Sequence, residues 1–285
     1  MSKRFTLEHI MVKDILLNLE CEESRNSALG YAISLAETFD AHLACVAFAG
    51  RSLLPGYPML DIPSGILADI LAESEKEARL AIDRFEAAAK RSVVSVEPRL
   101  ITESEVSPPD VFSAMARRFD LSMAMQSDDV RNNDVLIEAA LFGSGRPVMV
   151  VPYIQQDGLK LDRIVCCWDG SRAAARAVND ALPLLKKAQV AELFIVANEK
   201  IGNERETRGV DIANHLARHG VKVEVKITPA ADIGVTDAIL SHIADCSASM
   251  IVMGGYGHSR LREFVLGGVT RGILSTMTVP VFMSH

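Results

Sequence analysis

Long hydrophobic runs are missing from this chain. Its longest stretch without a charged residue is 14 residues, as at 272–285, short of the ~20 apolar residues that a membrane-crossing helix needs. The N-terminus, MSKRFTLEHIMVKDILLNLE, has charges breaking its apolar stretch and does not read as a signal peptide. Aromatic side chains are scarce, at 5% with one Trp and four Tyr. That argues against a stacking platform for single-stranded nucleic acid and requires an aliphatic core. Positive charge is in deficit, 30 Lys and Arg against 37 Asp and Glu for a net −7. No long basic run offsets it, so neither nucleic acid nor a membrane surface is expected as a partner. Cysteines number five, Cys21, Cys45, Cys166, Cys167 and Cys246. The odd count, without a C-x-x-C pair or a Cys/His metal spacing, reads as buried reduced thiols in a cytoplasmic protein, and no metal is expected.

What is present is an aliphatic, globular composition. Hydrophobic residues make up 49% of 285, which excludes a disordered chain and sizes it as one large domain or two ordinary ones. Apolar runs alternate with helical periodicity. Residues 11–19, 41–49, 93–101, 121–126 and 147–152 read as strands. Residues 24–39, 67–91, 109–118 and 133–142 read as helices; Leu29, Ala32, Ile33 and Ala36 fall at i, i+3, i+4 and i+7. The second half repeats the order, with strands at 163–168, 191–197, 221–227, 250–253 and 279–283. Its helices are 171–187, 204–219, 232–244 and a region reaching about 277. Ser171 is placed to cap one of these, and Gly220 to end another.

Strand–helix alternation throughout predicts an α/β fold of two tandem, doubly wound, five-stranded parallel-sheet domains. Aligning residues 14–17 with 163–166 sets Glu20 opposite Asp169, and aligning PVMVVP with PVFMSH sets Pro147 opposite Pro280. The short polar link at 155–158 divides the chain into domains 1–154 and 159–285. Residues 51–65, with three Pro and two Gly, read as a loop whose apolar residues pack locally or receive a partner or small ligand.

One stretch carries chemistry: MIVMGGYGHSRLREFVLGGVTRGIL. Gly254 ends a strand, Gly257 follows with two residues between, and nine more residues lead to Gly267 and Gly268. Strand ends of open α/β sheets are where ligands bind, and free N–H groups at a helix start attract phosphate. Two such cradles suit a polyphosphate, with His258, Arg260, Arg262 and Arg271 near them. The same glycines also suit ordinary turns. No Lys follows them as in a Walker A loop, and no G-x-G-x-x-G follows a first strand.

This stretch resembles the universal stress protein family, whose nucleotide-binding members carry G-x2-G-x9-G-(S/T); Gly254, Gly257 and Gly267 match it. RIVCCWDGSRAAARAV resembles the family's first strand, acidic residue and helix. The resemblance extends to both halves, as in tandem members. It implies a Rossmann-like, adenine nucleotide alpha hydrolase-like fold whose last strands, 147–152 and 279–283, meet, together with a further homodimer. It implies that Trp168 and Asp169 lie against base and ribose, that the backbone near Val196 touches adenine, and that Gly254 and Gly257 approach ribose and first phosphate. Gly267, Gly268 and Val269 would hold the outer phosphates by backbone N–H. The cofactor implied is ATP, with or without Mg, in a stress-response protein that uses the nucleotide as a signal or hydrolyses it slowly. No general base stands out for efficient catalysis.

The chain departs from the family at Gly268, where the family has Ser or Thr. One neutral hydrogen bond contributes about 1 kcal/mol, roughly fivefold in affinity, and Thr270 lies two residues on. The first half departs further: the alignment puts Gln126 opposite Gly254, followed by Asp128, Asp129 and Asp134, and five residues are missing before Pro147. That half is expected not to bind nucleotide in the usual way. Two alternatives stay open: an interaction protein whose glycine loops are structural, and a small-ligand binder using residues 51–65. His215 and His219 read as a helix-surface pair and Gly143-Ser144-Gly145 as a turn. Asp169 as the phospho-acceptor of a receiver domain would leave the glycines unexplained.

Overall fold

A computed structural model of the chain describes residues 11–21, 27–49, 64–102, 106–126, 132–197, 203–229, 234–255 and 268–285. In the first half β1 (Asp14–Asn18), α1 (Ser27–Phe39), β2 (His42–Phe48), α2 (Ser64–Ala89) and β3 (Val96–Ile101) alternate. They are followed by α3 (Pro108–Ala116), β4 (Leu121–Met125), α4 (Asn132–Gly143) and β5 (Val148–Val151). The second half runs β6 (Arg163–Cys167), α5 (Arg172–Asp180), α6 (Leu182–Lys187), β7 (Val190–Ala197), α7 (Asn203–Arg218) and β8 (Val223–Pro229). It closes with α8 (Val235–Asp245), β9 (Met250–Gly254), α9 (Gly268–Thr276) and β10 (Val281–Ser284).

All the described strands form one sheet in the order β3-β2-β1-β4-β5-β10-β9-β6-β7-β8. The second five strands repeat the connection order of the first five. Every pairing inside a half is parallel, as helical crossovers require. Parallel strands covered on both faces need near-continuous apolar sequence; β4 (LSMAM) and β5 (VMVV) are buried along their whole length. The outermost strands, β3 and β8, are partly exposed. They carry Pro98 and Lys226, residues that discourage a further strand from pairing.

The last strands meet as the resemblance implies. β5 and β10 pair antiparallel, Val281 with Val150, Phe282 with Met149 and Met283 with Val148. Val148 and Val281 hold equivalent places in their halves, so the register makes Met149–Phe282 the centre of an approximate two-fold. These two side chains join the core on one sheet face, while Val148, Val150, Val281 and Met283 join the core on the other. One polar contact crosses beside the same joint: Arg176 Nη2 donates to Gly145 O at 2.8 Å, while within the second half Ser284 Oγ donates to Asp180 Oδ2 at 2.9 Å.

The expected elements are recovered with one break. The single helix expected at 171–187 is two, because Pro183 cannot donate into the ladder and its ring crowds the preceding turn. Gly220 adopts φ +82°, and Val221 N donates back to Leu216 O at 3.1 Å, ending α7 as foreseen. Residues 50–63, most of the expected 51–65 loop, lie outside the described residues. Among the described residues no helix is long and apolar enough to cross a membrane.

The cysteines are free, and Cys45 and Cys166 are fully buried. Burial pushes the Cys45 thiol up to about 12 and Cys21 up to about 11, from an ordinary value of 9.0; Cys166 is raised in the same way. The fold therefore favours the neutral thiol. The stability this contributes is complete below pH 9 and is lost as pH rises through the folded values. The unfolding free energy from urea titrations should fall between pH 9 and 11, by about 1.4 kcal/mol per pH unit for each of the fully buried Cys45 and Cys166 and by less for the partly exposed Cys21. Cys45→Ala should flatten that slope; a slope unchanged by the substitution would contradict the assignment.

Candidate functional site

The carboxyl ends of β6, β7 and β9 lie side by side, because β6 sits between the other two. The chain leaves β6 toward β7 on one side and returns through β9 on the other. This is the switch point at which open α/β sheets leave a crevice for ligands. Trp168, Asp169, Val196, Gly254, Gly268 and Val269 all belong to this edge, at the ends of β6, β7 and β9 and the start of α9. Gly257, Gly267, His258, Arg260 and Arg262 lie outside the described residues.

A compact turn follows β6. Trp168 N donates to Phe194 O at 2.9 Å, extending the ladder by one residue. The Trp168 ring packs against the core, and among the described residues its buried Nε1 has no hydrogen-bond partner. Asp169 is exposed, and its Oδ1 accepts from Ser171 N at 2.8 Å. Gly170 takes φ +75°. Ser171 Oγ accepts from Ala174 N at 3.1 Å, so Ser171 is the expected cap of α5. The turn thus presents a carboxylate at the mouth of the crevice and a buried indole N–H behind it.

Gly254 has a stringent packing role. A Cβ built on it would lie 2.5 Å from Ala174 N and 2.6 Å from Ala173 C. The first turn of α5 presses directly on the end of β9, so this glycine is demanded whether or not a ligand is present. Gly268 is the opposite: among the described residues a Cβ there would meet nothing within 4 Å. The first turn of this nine-residue helix carries N–H groups that have no partner within the helix and can reach an anion. Arg271, one turn on, is exposed, and Thr270 is buried. These features fit a phosphate-bearing ligand, with backbone N–H groups rather than a hydroxyl at position 268.

The first half is built differently at the corresponding edge. Its registers correct one alignment. Ile15 pairs with Leu121 and Ile164 with Met250, so Met125, not Gln126, matches Gly254, and Gln126 matches Gly255. Gln126 N donates to Val151 O just as Gly255 N donates to Ser284 O. The Pro147–Pro280 equivalence holds, since both carbonyls accept from the neighbouring strand in the same way. Gln126 is buried, and its Nε2 donates to Leu274 O in the last turn of α9 at 2.8 Å. The end of β1 opens on a shallow cleft lined by Leu17, Asn18, Leu19, Glu20 and Leu29, with Ala81 of α2 closing one side. Asn18 Nδ2 donates to Glu20 Oε1 at 3.1 Å. A carboxylate in that cleft disfavours phosphate. Asp128 and Asp129 lie outside the described residues.

His215 on α7 and His219 just past its end meet edge-on at 4.7 Å, a surface pair as expected. Gly145, at φ +68°, makes the turn into β5. One group was missed: Glu192, His242 and Cys246 bring their donor atoms within 4.8 Å of one another. Its signals are an acid in the apolar run VAELFIVA and the spacing His-x3-Cys, i and i+4 on a helix face.

Comparison with known proteins agrees with this architecture. The model of the universal stress protein family matches residues 160–285. Universal stress protein YxiE of Bacillus subtilis (strain 168) is 29% identical over 145 residues, 43% of this chain and 97% of that protein. A universal stress protein structure from Archaeoglobus fulgidus DSM 4304 superposes with TM-score 0.67 at 19% identity, covering 94% of this chain and 95% of its own. A functionally unknown protein from Pseudomonas aeruginosa PAO1 gives TM-score 0.58 at 14% identity, covering 95% and 92%. At such identities the two structures speak for the fold, and each spans nearly all of it.

Proposed function

Since the chain belongs to the universal stress protein family through residues 160–285, we propose that its second half binds ATP or a related adenine nucleotide as a regulatory signal. The observation that carries this reading is the convergence at one sheet edge of three strand ends with the uncrowded first turn of α9. In this reading the base and ribose lie against Trp168, Asp169 and the Val196 backbone. The backbone near Gly254 and Gly257 approaches the ribose and first phosphate. Gly267, Gly268 and Val269 hold the outer phosphates through N–H groups. Mg, when bound with ATP, neutralises phosphate charge; the chain's own part is to orient the nucleotide and exclude water, so turnover is slow. Residues 1–154 form a degenerate copy that does not take nucleotide. A homodimer would need another surface, because β5 and β10 are already paired with each other.

Titration of the purified chain with MgATP tests this reading. Saturable heat and a raised melting temperature are expected at millimolar nucleotide. Gly268→Ser adds the hydroxyl that the family signature contains, into open space. It should tighten binding roughly fivefold, the worth of one neutral hydrogen bond. No heat and no thermal shift with either protein would overturn the reading.

A second reading, an interaction protein that needs no nucleotide, is favoured by the packing role of Gly254, which explains part of the glycine signature without a ligand. Gly257→Asp separates the two. It abolishes a nucleotide-dependent function and leaves nucleotide-independent partner binding intact.

A further inference from the structure

We propose that Glu192, His242 and Cys246 form a zinc site that pins α8 to β7, distinct from the nucleotide crevice. Glu192 is the third residue of β7 and its side chain faces α8; it is 5% exposed. His242 and Cys246, one helical turn apart, point back at it from α8 and its C-cap. The carboxylate, imidazole and thiol donors lie within 4.8 Å of one another. A tetrahedral zinc with ligand bonds of about 2.0–2.3 Å holds its donors about 3.5 Å apart. Side-chain rotation is the movement this asks for, since Glu192 stands on β7, His242 on α8 and Cys246 on the α8 C-cap, with their donors already facing one point.

The surroundings orient two of the three donors. The His242 ring stacks on Phe194 at 4.2 Å with the planes 2° apart. Phe194 is two residues beyond Glu192 on the same strand face, so it fixes the imidazole plane and turns Nε2 to Glu192 Oε1, to which it is hydrogen-bonded. The other carboxylate oxygen, Oε2, accepts from Arg163 Nη1 at 2.6 Å; Arg163 also reaches Glu224 at 3.1 Å. An outer partner that holds one oxygen and leaves the other facing the remaining ligands is a common support for a metal-bound carboxylate. At the third corner, Cys246 N donates to His242 O at 2.9 Å and Ala248 N to Ile243 O at 3.1 Å, which locks the backbone of the cap.

The donor set selects the ion. One sulfur, one nitrogen and one oxygen suit zinc, whereas magnesium and calcium take oxygen ligands. On binding, the Cys246 S–H bond breaks, its proton passes to solvent and the sulfur bonds zinc. His242 Nε2, the donor to Glu192 Oε1 before binding, releases its proton to solvent while Nδ1 takes one up, so the ring stays neutral and ligates through the Nε2 lone pair; Glu192 Oε1 exchanges that hydrogen bond for the metal. Thiolate and carboxylate balance the two positive charges, and water fills the fourth position. Glu192 lies near the amino end of β7 and Arg163 begins β6. The site therefore sits toward the sheet edge opposite the crevice, and its fate is independent of nucleotide binding.

The test uses the full chain, stripped with a chelator and titrated with zinc against a chromogenic competitor, then with cobalt. One equivalent of zinc should be retained. Cobalt should give a thiolate charge-transfer band and the visible spectrum of a tetrahedral site. Cys246→Ser and His242→Asn should each weaken zinc at least about tenfold, and Cys246→Ser should remove the charge-transfer band, while Cys21→Ser changes neither. Thermal melts of the metal-free variants establish that they fold. Failure to retain zinc would overturn the site and leave His242, Glu192 and Arg163 as a metal-free hydrogen-bonded chain beside Cys246. Retention that both substitutions leave unchanged would equally overturn it.

Discussion

Gly254→Val is expected to destabilise the chain by about 3 kcal/mol or more. The clash begins at the first added carbon, since a Cβ would stand 2.5 Å from the Ala174 nitrogen and 2.6 Å from the Ala173 carbonyl carbon. Backbone cannot rotate aside as a side chain can, so α5 must lift off β9. Lifting α5 disturbs the cap at Ser171 and the Asp169 turn with it. Gly255 is the natural control: a Cβ there meets Leu141 Cδ2 at 2.5 Å, the movable end of a side chain. Urea unfolding reads both. The midpoint should fall steeply for Gly254→Val, already markedly for Gly254→Ala, and much less for Gly255→Ala. A Gly254→Ala midpoint equal to that of the parent would refute the packing account.

Phe282→Asp should have a larger effect. Phe282 is 1% exposed and faces Met149, itself fully buried, at the centre of the antiparallel joint. Truncating a buried Phe costs about 3–5 kcal/mol, and a carboxylate left there unpaired adds several more. The joint is only three residue pairs long, so it has little redundancy. Losing it exposes the apolar edges of β5 and β10, which invite pairing between molecules. The expected result is a chain that aggregates or fails to accumulate as a folded species, read by size-exclusion chromatography and circular dichroism. Val225→Ala, on outer strand β8 at 40% exposure, should cost under about 1 kcal/mol. A soluble Phe282→Asp variant with unchanged melting would show that the two halves do not depend on this contact.

Most of the fold was legible because parallel strands covered on both faces leave runs such as CVAF and MIVM that little else produces. Pro147 and Pro280 could be equated because each immediately precedes a last strand. In sequence Gln126 reads as the strand-ending residue because it is polar and follows an apolar run. Only pairing registers show that Met125 ends the strand and that Gln126 is already turning toward Leu274 of the other half. The break at residue 181 was available in Pro183, outweighed by the apolar periodicity around it. At the candidate site, the glycine spacing pointed to the right sheet edge. It could not reveal that Gly254 answers to α5, since a contact between residues 80 positions apart has no local signature. Glu192 was passed over for a related reason. An acid inside an apolar strand makes sense only once Arg163 and His242 are seen beside it.

The antiparallel joint has a geometric consequence for recognition. Strands of the two halves run in opposite directions, so their carboxyl ends emerge at opposite rims of the sheet. The cleft at Leu19 and Glu20 and the crevice at Trp168 and Asp169 therefore face away from each other, like two doors on opposite walls. No small molecule can bridge them, and a partner seated at one rim leaves the other clear. Loss of a glycine pattern at the first door carries no steric penalty at the second, and the two rims are free to answer to different molecules.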